Sequence, residues 1–316
     1  MPADPGALGK RLREGDRSAA PPALNLIEDR SPRGRERARE LLAEVAPAAL
    51  GDEAPAHLVG ITGPPGAGKS SLLSALIAEW RERERTVAVL AVDPSSKRSG
   101  GSLLGDRVRI DHDPRDDGVL IRSTAAGGRL GGLAAPTREA VDALAATFEV
   151  VVVETVGVGQ SETDVEEVCD SVAVVVQPGS GDTLQFIKAG IMEVPDVLVV
   201  TKADLGDAAT RARRDLHQAL GALGSQDVPV IAVSSVPPPS GVDELAEALD
   251  AHRASLDVHA RRVRARRLAA LREYAAEHGE GALRAVGGRR EAESFLAGQD
   301  EDASVDQLLA ALRERA

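Results

Sequence analysis

Residues 63–70 read Gly-Pro-Pro-Gly-Ala-Gly-Lys-Ser, a complete match to the pattern Gly-x-x-x-x-Gly-Lys-Ser/Thr. Before it, His57–Thr62 is short, apolar and rich in β-branched residues, as expected of a buried strand, and residues 71–77 have helical periodicity. In this strand–loop–helix context the glycines let backbone N–H groups surround a phosphate, and the helix N-terminus adds its positive dipole end. The predicted phosphate-binding residues are Gly63, Pro64, Pro65, Gly66, Ala67, Gly68, Lys69, Ser70 and Ser71. Lys69 is expected to reach the β- and γ-phosphates, and the Ser70 hydroxyl to bind Mg²⁺.

Composition restricts the class of protein. The chain has 316 residues, of which 43% are hydrophobic, enough for a sizeable core in one large domain or one domain with helical additions. A net charge of −12 argues against general nucleic-acid binding. The single cysteine, Cys169, excludes an intramolecular disulfide and is interpreted as a small packing residue. Without an apolar leader or a run of eighteen apolar residues, the sequence predicts a cytoplasmic protein with no membrane contact.

The middle of the chain alternates short β-branched runs with amphipathic runs. The predicted strands are residues 57–62, 86–92, 119–122, 150–154, 171–177, 197–201 and 228–233. This alternation predicts an α/β fold of the phosphate-loop NTPase type, with a mostly parallel central sheet covered by helices on both faces. We expect an N-terminal helical extension (1–56), the nucleotide-binding domain (57–250) and a C-terminal helical segment (251–316). Residues 1–23 are expected to be partly disordered, and the arginine-rich run 261–267 to be an exposed helix face. The C-terminal segment is expected to be helical, with Gly-rich breaks at residues 279–281 and 287–288.

Acids at predicted strand ends form the second signature. Four consecutive valines lead to Glu154, at the position where nucleotide hydrolases hold Mg²⁺-bound water or polarise a water molecule. Gly157 could place its N–H on the γ-phosphate. Asp93 ends another predicted strand, and Asp106 follows a Ser/Gly-rich loop, so both are candidates for the Mg²⁺ neighbourhood. Ordinary capping or turn chemistry is the alternative for these two acids.

A third element predicts guanine recognition. Thr201-Lys202-Ala203-Asp204 follows an apolar run, and the Asp204 carboxylate can accept hydrogen bonds from guanine N1–H and the exocyclic amine, which adenine does not offer. The Lys202 stem would cover the base and ribose. The predicted loop that closes over the base contains Ser234, Ser235 and Val236. GTP and GDP, rather than adenine nucleotides, are therefore the expected ligands, together with Mg²⁺.

These motifs resemble the SIMIBI group of phosphate-loop GTPases. More narrowly, they resemble the MeaB/ArgK-type chaperones of adenosylcobalamin-dependent methylmalonyl-CoA mutase. The stretches that carry the resemblance are residues 63–70, 92–96, 100–107, 154–162, 178–185 and 188–193. The last two stretches have no general role in nucleotide binding, so their match distinguishes this family from other phosphate-loop GTPases. Thr201 departs from the family's usual Asn, and Ser235 and Val236 depart from its usual closing loop.

The resemblance implies a cytoplasmic, homodimeric GTPase that gates cobalamin loading and protects the cofactor of the mutase. It implies that Lys69 and Ser70 bind phosphate and Mg²⁺. It also implies that Asp93, Asp106 and Glu154 surround the metal ion and the attacking water. The resemblance further implies that the C-terminal helices form the dimer contact. Three alternatives stay open at this point: a chaperone of another acyl-CoA mutase, a metal-insertion GTPase and, least favoured, a small-molecule kinase. A metal-insertion GTPase would call for a Cys/His cluster, and the chain has one cysteine and six scattered histidines.

Overall fold

The computed structural model describes residues 4–94, 110–126, 135–155, 165–179 and 195–316. Its helices are α1 (Pro5–Arg13), α2 (Ala20–Ile27), α3 (Pro32–Ala43), α4 (Pro47–Leu50), α5 (Lys69–Glu82), α6 (Ala135–Ala145), α7 (Asp207–Leu223), α8 (Val242–Ser255), α9 (Val258–Ala285), α10 (Arg289–Ala297) and α11 (Val305–Arg315). Its strands are β1 (His57–Thr62), β2 (Val87–Pro94), β3 (Val119–Ala126), β4 (Val150–Thr155), β5 (Ser171–Val176), β6 (Val197–Val200) and β7 (Val230–Ala232).

The chain divides into two compact units. One contains Met1–Pro55, Asp142–Thr147 and Leu256–Ala316, and the other contains Ala56–Val141 and Phe148–Ser255. The second unit holds the sheet and the phosphate loop, and we call it the sheet unit. The first is built from helices, and we call it the helical unit. The division at residues 56/57 and 250/251 stays a prediction.

The sheet of the sheet unit has the strand order β3-β2-β4-β1-β5-β6-β7. Each neighbouring pair is parallel. The predicted α/β fold with a parallel sheet is therefore confirmed, and each of the seven predicted runs overlaps one of these strands, although β2, β3 and β4 extend beyond the predicted ends. Because β1 lies between β4 and β5, the loop that follows β1 leaves the sheet at its centre.

The sheet is buried on both faces. On one face, alternate strand residues such as Val59, Ile61 and Val152 pack with apolar residues of α5 and α8 into a single core that includes Trp80. On the other face, a β-carbon at Gly60 would lie 2.1 Å from the Val165 side chain, so only glycine allows this close approach. Cys169 packs at the same place and is buried, which confirms its role as a packing residue.

The N-terminal residues are ordered helices, so the expected partial disorder is wrong for residues 4–23. Asp4 caps α1 through its side chain and Pro5 occupies the first turn, where a missing N–H costs nothing. Leu8 and Leu12 are buried, and a β-carbon at Gly9 would lie 2.5 Å from the Leu41 carbonyl oxygen of α3. The Pro and Gly residues interpreted as signs of disorder thus start a helix and permit close helix packing.

The arginine run 261–267 is not simply an exposed helix face, and that expectation is also wrong. Arg262 is buried, and its guanidinium donates to the Ala54 carbonyl oxygen at 2.6 Å. Arg266 forms two hydrogen bonds with Glu53, at 3.0 and 2.8 Å, and Glu53 is itself largely buried. Planar guanidinium groups suit such paired contacts, so within the helical unit this part of α9 binds the segment before β1.

The C-terminal part of the helical unit has its own core. It is formed by apolar residues of α9, α10 and α11 and includes Tyr274. Gly279 interrupts α9 with a φ of 77°, and Gly287 and Gly288 separate α9 from α10. These are the two Gly-rich positions at which the sequence predicts helix breaks.

A polar network connects the amino ends of β1 and β5 to α8. The His57 imidazole contacts Asp250 at 3.3 Å and the Ser171 hydroxyl at 2.9 Å, and Arg85 donates to both Asp250 oxygens at 2.8 and 3.0 Å. Burial lowers the pKa of His57. Burial also tends to raise the pKa of Asp250, but the hydrogen bonds from His57 and Arg85 outweigh it and lower that pKa to about 2. The network is thus stable with Asp250 ionised.

We expect Asp250→Asn to lower the free energy of unfolding at neutral pH and to flatten its acid dependence. Because the folded-state pKa lies below the ordinary value of 3.8, the carboxylate stabilises the fold above pH 3.8 and loses this effect as the pH falls towards 2. Urea unfolding between pH 2 and pH 7 would measure both effects. Asp243→Asn, an exposed position of α8, is the control. Parallel pH profiles for the wild type and Asp250→Asn would contradict the expectation.

Candidate nucleotide-binding site

The phosphate loop has the backbone conformation that its glycines permit. Gly63, Gly66 and Gly68 have positive φ values of 146°, 78° and 92°. A β-carbon at Gly63 would lie 2.3 Å from the Val175 carbonyl oxygen, so the loop turns directly against β5. Gly68 is the N-cap of α5, and this end of the helix has neither a side-chain cap nor an acid in its first turn. The dipole end of α5 therefore faces the loop with nothing from its own first turn to neutralise it, which suits an anion.

Lys69 and Ser70 begin α5 at the base of this loop. Lys69 is buried, and its ammonium donates to the Gly63 and Pro64 carbonyl oxygens at 2.7 and 3.1 Å. These bonds hold the lysine beneath the loop that it is predicted to serve. Ser70 is partly exposed, as a residue that binds a ligand from the first turn must be. Pro65, Gly66 and Ser71 are exposed, whereas Ala67 is buried.

Two of the three predicted acids, Glu154 and Asp93, lie in strands that the structure describes. Glu154 is buried at the carboxyl end of β4, opposite Ile61 of β1 and Ala91 of β2 in the strand register. Asp93 lies at the end of β2, opposite Ala125 of β3 in the strand register. Both acids therefore lie at the carboxyl ends of their strands, on the same side of the sheet as the phosphate loop. Asp106 and Gly157 lie outside the described residues, so their roles stay predictions.

The segment after β6 holds the phosphate loop from the side opposite β4. The Thr201 hydroxyl, which is buried, lies 2.6 Å from the Ala67 carbonyl oxygen and 3.1 Å from that of Val176. Lys202 has a positive φ of 54°, rare for a residue with a side chain, and its ammonium donates to the Gly66 carbonyl oxygen at 3.4 Å and to the Gln177 side chain. The predicted base-recognition segment and phosphate loop are therefore in direct contact.

Asp204 is exposed and joined to the loop after β7. The Ser234 hydroxyl donates to an Asp204 oxygen at 3.0 Å and accepts the Val236 backbone N–H at 3.2 Å. Two backbone hydrogen bonds between Ser234 and Ser240, both 3.0 Å, close the small loop that contains Ser235. The structure thus brings together the two segments predicted to hold the base, although Val236 is 56% exposed.

Sequence reasoning missed three polar residues of this site. Gln177 pairs with Lys202, and the buried hydroxyls of Thr155 and Thr62 lie 3.1 Å apart at the carboxyl ends of β4 and β1. A rule that treats every polar residue at the carboxyl end of a predicted strand as a candidate would have found all three. Their partners depend on the strand order, which the sequence pattern does not reveal.

The residues present fit Mg²⁺ bound together with a nucleotide. A magnesium ion bound to a nucleotide takes few protein ligands and keeps several water molecules. Ser70 is partly exposed in the first turn of α5, and Glu154 lies at the carboxyl end of β4, the strand paired with β1, which leads into the loop. Within the described residues, which include all six histidines and Cys169, no cluster of three or more His, Cys, Asp or Glu side chains is placed to hold a metal ion by itself.

A parallel sheet with a phosphate loop at its centre, followed by a helix, defines a phosphate-loop nucleotide-binding protein. Residues 21–285 match the family model described as methylmalonyl Co-A mutase-associated GTPase MeaB. The chain belongs to this family.

Curated relatives agree with this assignment. The chain is 42% identical over 254 residues to a probable GTPase of Mycobacterium tuberculosis, a match that covers 78% of this chain and 74% of the relative. It is 42% identical over 224 residues to the mitochondrial methylmalonic aciduria type A homolog of Caenorhabditis elegans, covering 68% of this chain and 56% of that protein. Two Pyrococcus relatives are 48% identical over 198 residues, and the chain spans 59% and 60% of their lengths.

Solved structures share the fold. The crystal structure of a LAO/AO transport system kinase has a TM-score of 0.66 and 27% identity, and the match covers 99% of this chain and 98% of that one. The nickel complex of HypB from Helicobacter pylori has a TM-score of 0.50 and 18% identity, covering 67% and 93% of the two chains. At that identity the second match shows the fold alone.

We expect Lys69→Ala to weaken guanine nucleotide binding by about 10- to 100-fold, the loss that follows when a charge-assisted hydrogen bond is removed. Arginine is no substitute, because a guanidinium does not fit the tight phosphate cradle. Fluorescent nucleotide titration would measure the change. Lys10→Ala, an exposed lysine of α1, is the matched control. If Lys69→Ala bound the nucleotide with unchanged affinity, the loop would not be part of the binding site.

Proposed function

We propose that this protein is a Mg²⁺-dependent GTPase that serves as a chaperone of an adenosylcobalamin-dependent methylmalonyl-CoA mutase. In this role it gates cofactor loading and protects the bound cofactor. The observation that supports the GTPase part is the direct contact of Thr201 and Lys202 with the phosphate loop, because Asp204 of the same segment would then be close enough to bind the guanine base of a nucleotide held by the loop. The mutase as client is supported by the family match over residues 21–285 and by the resemblance to the methylmalonic aciduria type A homolog. The homodimeric state and the cytoplasmic location belong to the same proposal, and the family resemblance supports both.

The chemistry needs few groups from the protein. Water attacks the γ-phosphorus, the bond to the bridging β–γ oxygen breaks, and the products are GDP and phosphate. Lys69 and the first-turn N–H groups of α5 would bind the phosphate oxygens, and Glu154 would orient or polarise the attacking water. Bound Mg²⁺, held by Ser70, would neutralise charge on the phosphates. Asp93, Asp106 and Gly157 are proposed to complete this set.

The match to a LAO/AO transport system kinase favours examining a second function, phosphate transfer to a small molecule. This reaction would use the same phosphate loop but would require an acceptor pocket. The exposed Asp204, fixed by Ser234 beside the loop, supports guanine over adenine and makes hydrolysis the first choice. Assaying for a phosphorylated small molecule alongside free phosphate would separate the two functions.

We expect Asp204→Asn to shift nucleotide preference from guanine towards xanthine. The carboxylate accepts two hydrogen bonds from guanine, whereas an amide offers one acceptor and one donor, which match xanthine N1–H and its C2 carbonyl oxygen. Competition between GTP and XTP for a fluorescent nucleotide would measure the shift. Asp207→Asn, an exposed acid in the first turn of α7, is the control. Undiminished GTP preference in Asp204→Asn would refute the guanine assignment.

The whole proposal is tested by measuring GTP hydrolysis with and without an adenosylcobalamin-dependent acyl-CoA mutase from the same source. We expect slow hydrolysis alone and faster hydrolysis with methylmalonyl-CoA mutase, with no response to ATP. Stimulation by a different acyl-CoA mutase would retain the chaperone role and change the client. Hydrolysis that no mutase alters would leave a GTPase with another partner.

A further inference from the structure

Gln177 directly follows β5, beside the place where β6 ends. The carbonyl oxygen of Val176, the last residue of β5, accepts the Thr201 backbone N–H at 2.9 Å and lies 3.1 Å from the Thr201 hydroxyl. Gln177 and Lys202 are the next residues of the two segments. The contacts between Val176 and Thr201 therefore hold Gln177 and Lys202 side by side.

The Lys202 ammonium has acceptors in two different segments. It donates to the Gln177 side-chain oxygen and, at 3.4 Å, to the Gly66 carbonyl oxygen of the phosphate loop. A separation of 3.4 Å is long for an N–H···O hydrogen bond, so the contact with Gly66 is weak by itself. A hydrogen bond with a charged donor is stronger than one between neutral groups. Gln177 thus supplies a charge-assisted contact that holds the far end of the lysine side chain.

The other end of this side chain starts from an unfavourable backbone conformation. Lys202 has a φ of 54°, in the left-handed region that costs free energy for a residue with a β-carbon. Glycine adopts this conformation readily. A lysine here must therefore contribute something that glycine lacks, and the described contacts of its ammonium are those with Gln177 and Gly66.

Fixing both ends restricts the four-carbon stem between them. This stem is the part of Lys202 that is predicted to cover the base and ribose. A long side chain that is ordered only when a ligand binds loses conformational entropy at that moment, and prior ordering reduces this cost. Because the Gln177 amide is neutral, it can order the lysine without placing a negative charge near the bound phosphates.

We propose that Gln177 is a positioning residue that orders the Lys202 side chain for its contact with the nucleotide base. This inference rests on the proposed GTPase function. Gln177 acts through Lys202, so its loss weakens binding of a whole nucleotide. Binding of a ligand that consists of phosphate groups alone stays unchanged, because the Lys202 stem does not contact it.

A double-mutant cycle tests this role. Gln177→Met keeps the length of the side chain and removes the acceptor, Lys202→Met keeps an apolar stem and removes the ammonium, and the double variant completes the cycle. Unlabelled GDP and inorganic pyrophosphate each compete with a fluorescent nucleotide for every variant. Gln218→Met, at an exposed glutamine of α7, is the matched control.

We expect Gln177→Met to lower GDP affinity about 3- to 10-fold, the effect of one hydrogen bond, and to leave pyrophosphate affinity unchanged. In the Lys202→Met background the same substitution should have no further effect, because the donor is already absent. Gln218→Met should bind both ligands as the wild type does. If Gln177→Met does not fold, Gln177→Leu carries the same expectation, since leucine also lacks an acceptor.

Three results would overturn the inference. An unchanged GDP affinity in Gln177→Met would show that the hydrogen bond does not contribute to binding. Equal losses of GDP and pyrophosphate affinity would show that Gln177 acts on the phosphate loop as a whole. An undiminished loss in the Lys202→Met background would show that Gln177 acts without the lysine.

The wild type separates failure of this inference from failure of the proposed function. If it prefers GDP to ADP and the cycle shows no coupling, the guanine site stands and the role of Gln177 fails. If it shows no preference for GDP, the proposed function is contradicted. The cycle is then measured with ADP, because a lysine stem can cover either base, and absence of coupling there overturns the role of Gln177 as well. A wild type that binds neither nucleotide overturns both.

Discussion

The central place of β1 in a parallel sheet is the constraint on which the site depends. β1 is hydrogen-bonded to β4 on one side and β5 on the other, so the phosphate loop leaves the sheet between the ends of both strands. The β4 side carries Glu154 and, one strand further, Asp93. The opposite side leads through β5 and β6 to the predicted base-recognition segment, Thr201–Asp204. In a parallel sheet the carboxyl ends of all strands lie on the same side, so groups far apart in the sequence meet at these ends.

The phosphate loop is held mainly through its own backbone. Gly63 lies against the Val175 carbonyl group, Thr201 bonds to the Ala67 carbonyl oxygen, and Lys202 bonds to that of Gly66. Each neutral hydrogen bond contributes about 0.5–1.5 kcal/mol, and a bond to a charged group contributes more. These contacts come from other parts of the chain and restrict the conformations that the loop backbone can adopt. The Thr at position 201, where the family usually has Asn, makes its contact to the loop with a hydroxyl.

The sequence predicted the parts that depend on local chemistry. The phosphate loop, the valine-rich strand before Glu154 and the glycine breaks in the C-terminal helices follow from spacing and composition. The order of residues 4–23 was missed because Pro5 lies in the first turn of a capped helix and Gly9 allows a close helix contact, whereas a composition rich in Pro and Gly suggests disorder. The buried arginines of α9 were missed for a related reason, since Arg266 finds Glu53 more than two hundred residues away.

The same limit applies to the strand order and to the polar network around His57. Valine runs show that strands exist, but β4 lies beside β1 because of packing across the whole sheet. His57, Ser171 and Asp250 meet only after β1, β5 and α8 are assembled. Hydrophobic patterns of period 2 and 3.6 predict strands, helices and their buried faces, but they do not predict which polar side chains of different elements contact each other. The site residues were therefore easier to name than their partners.

The scarcity of aromatic residues gives each compact unit its own chromophore. The chain has one tryptophan and one tyrosine. Trp80 is 1% exposed in the core of the sheet unit, on the helix that starts with Lys69, and Tyr274 is 1% exposed in the core of the helical unit. Indole and phenol differ in absorption and emission, so the unmodified protein carries a separate optical reporter for the melting of each unit.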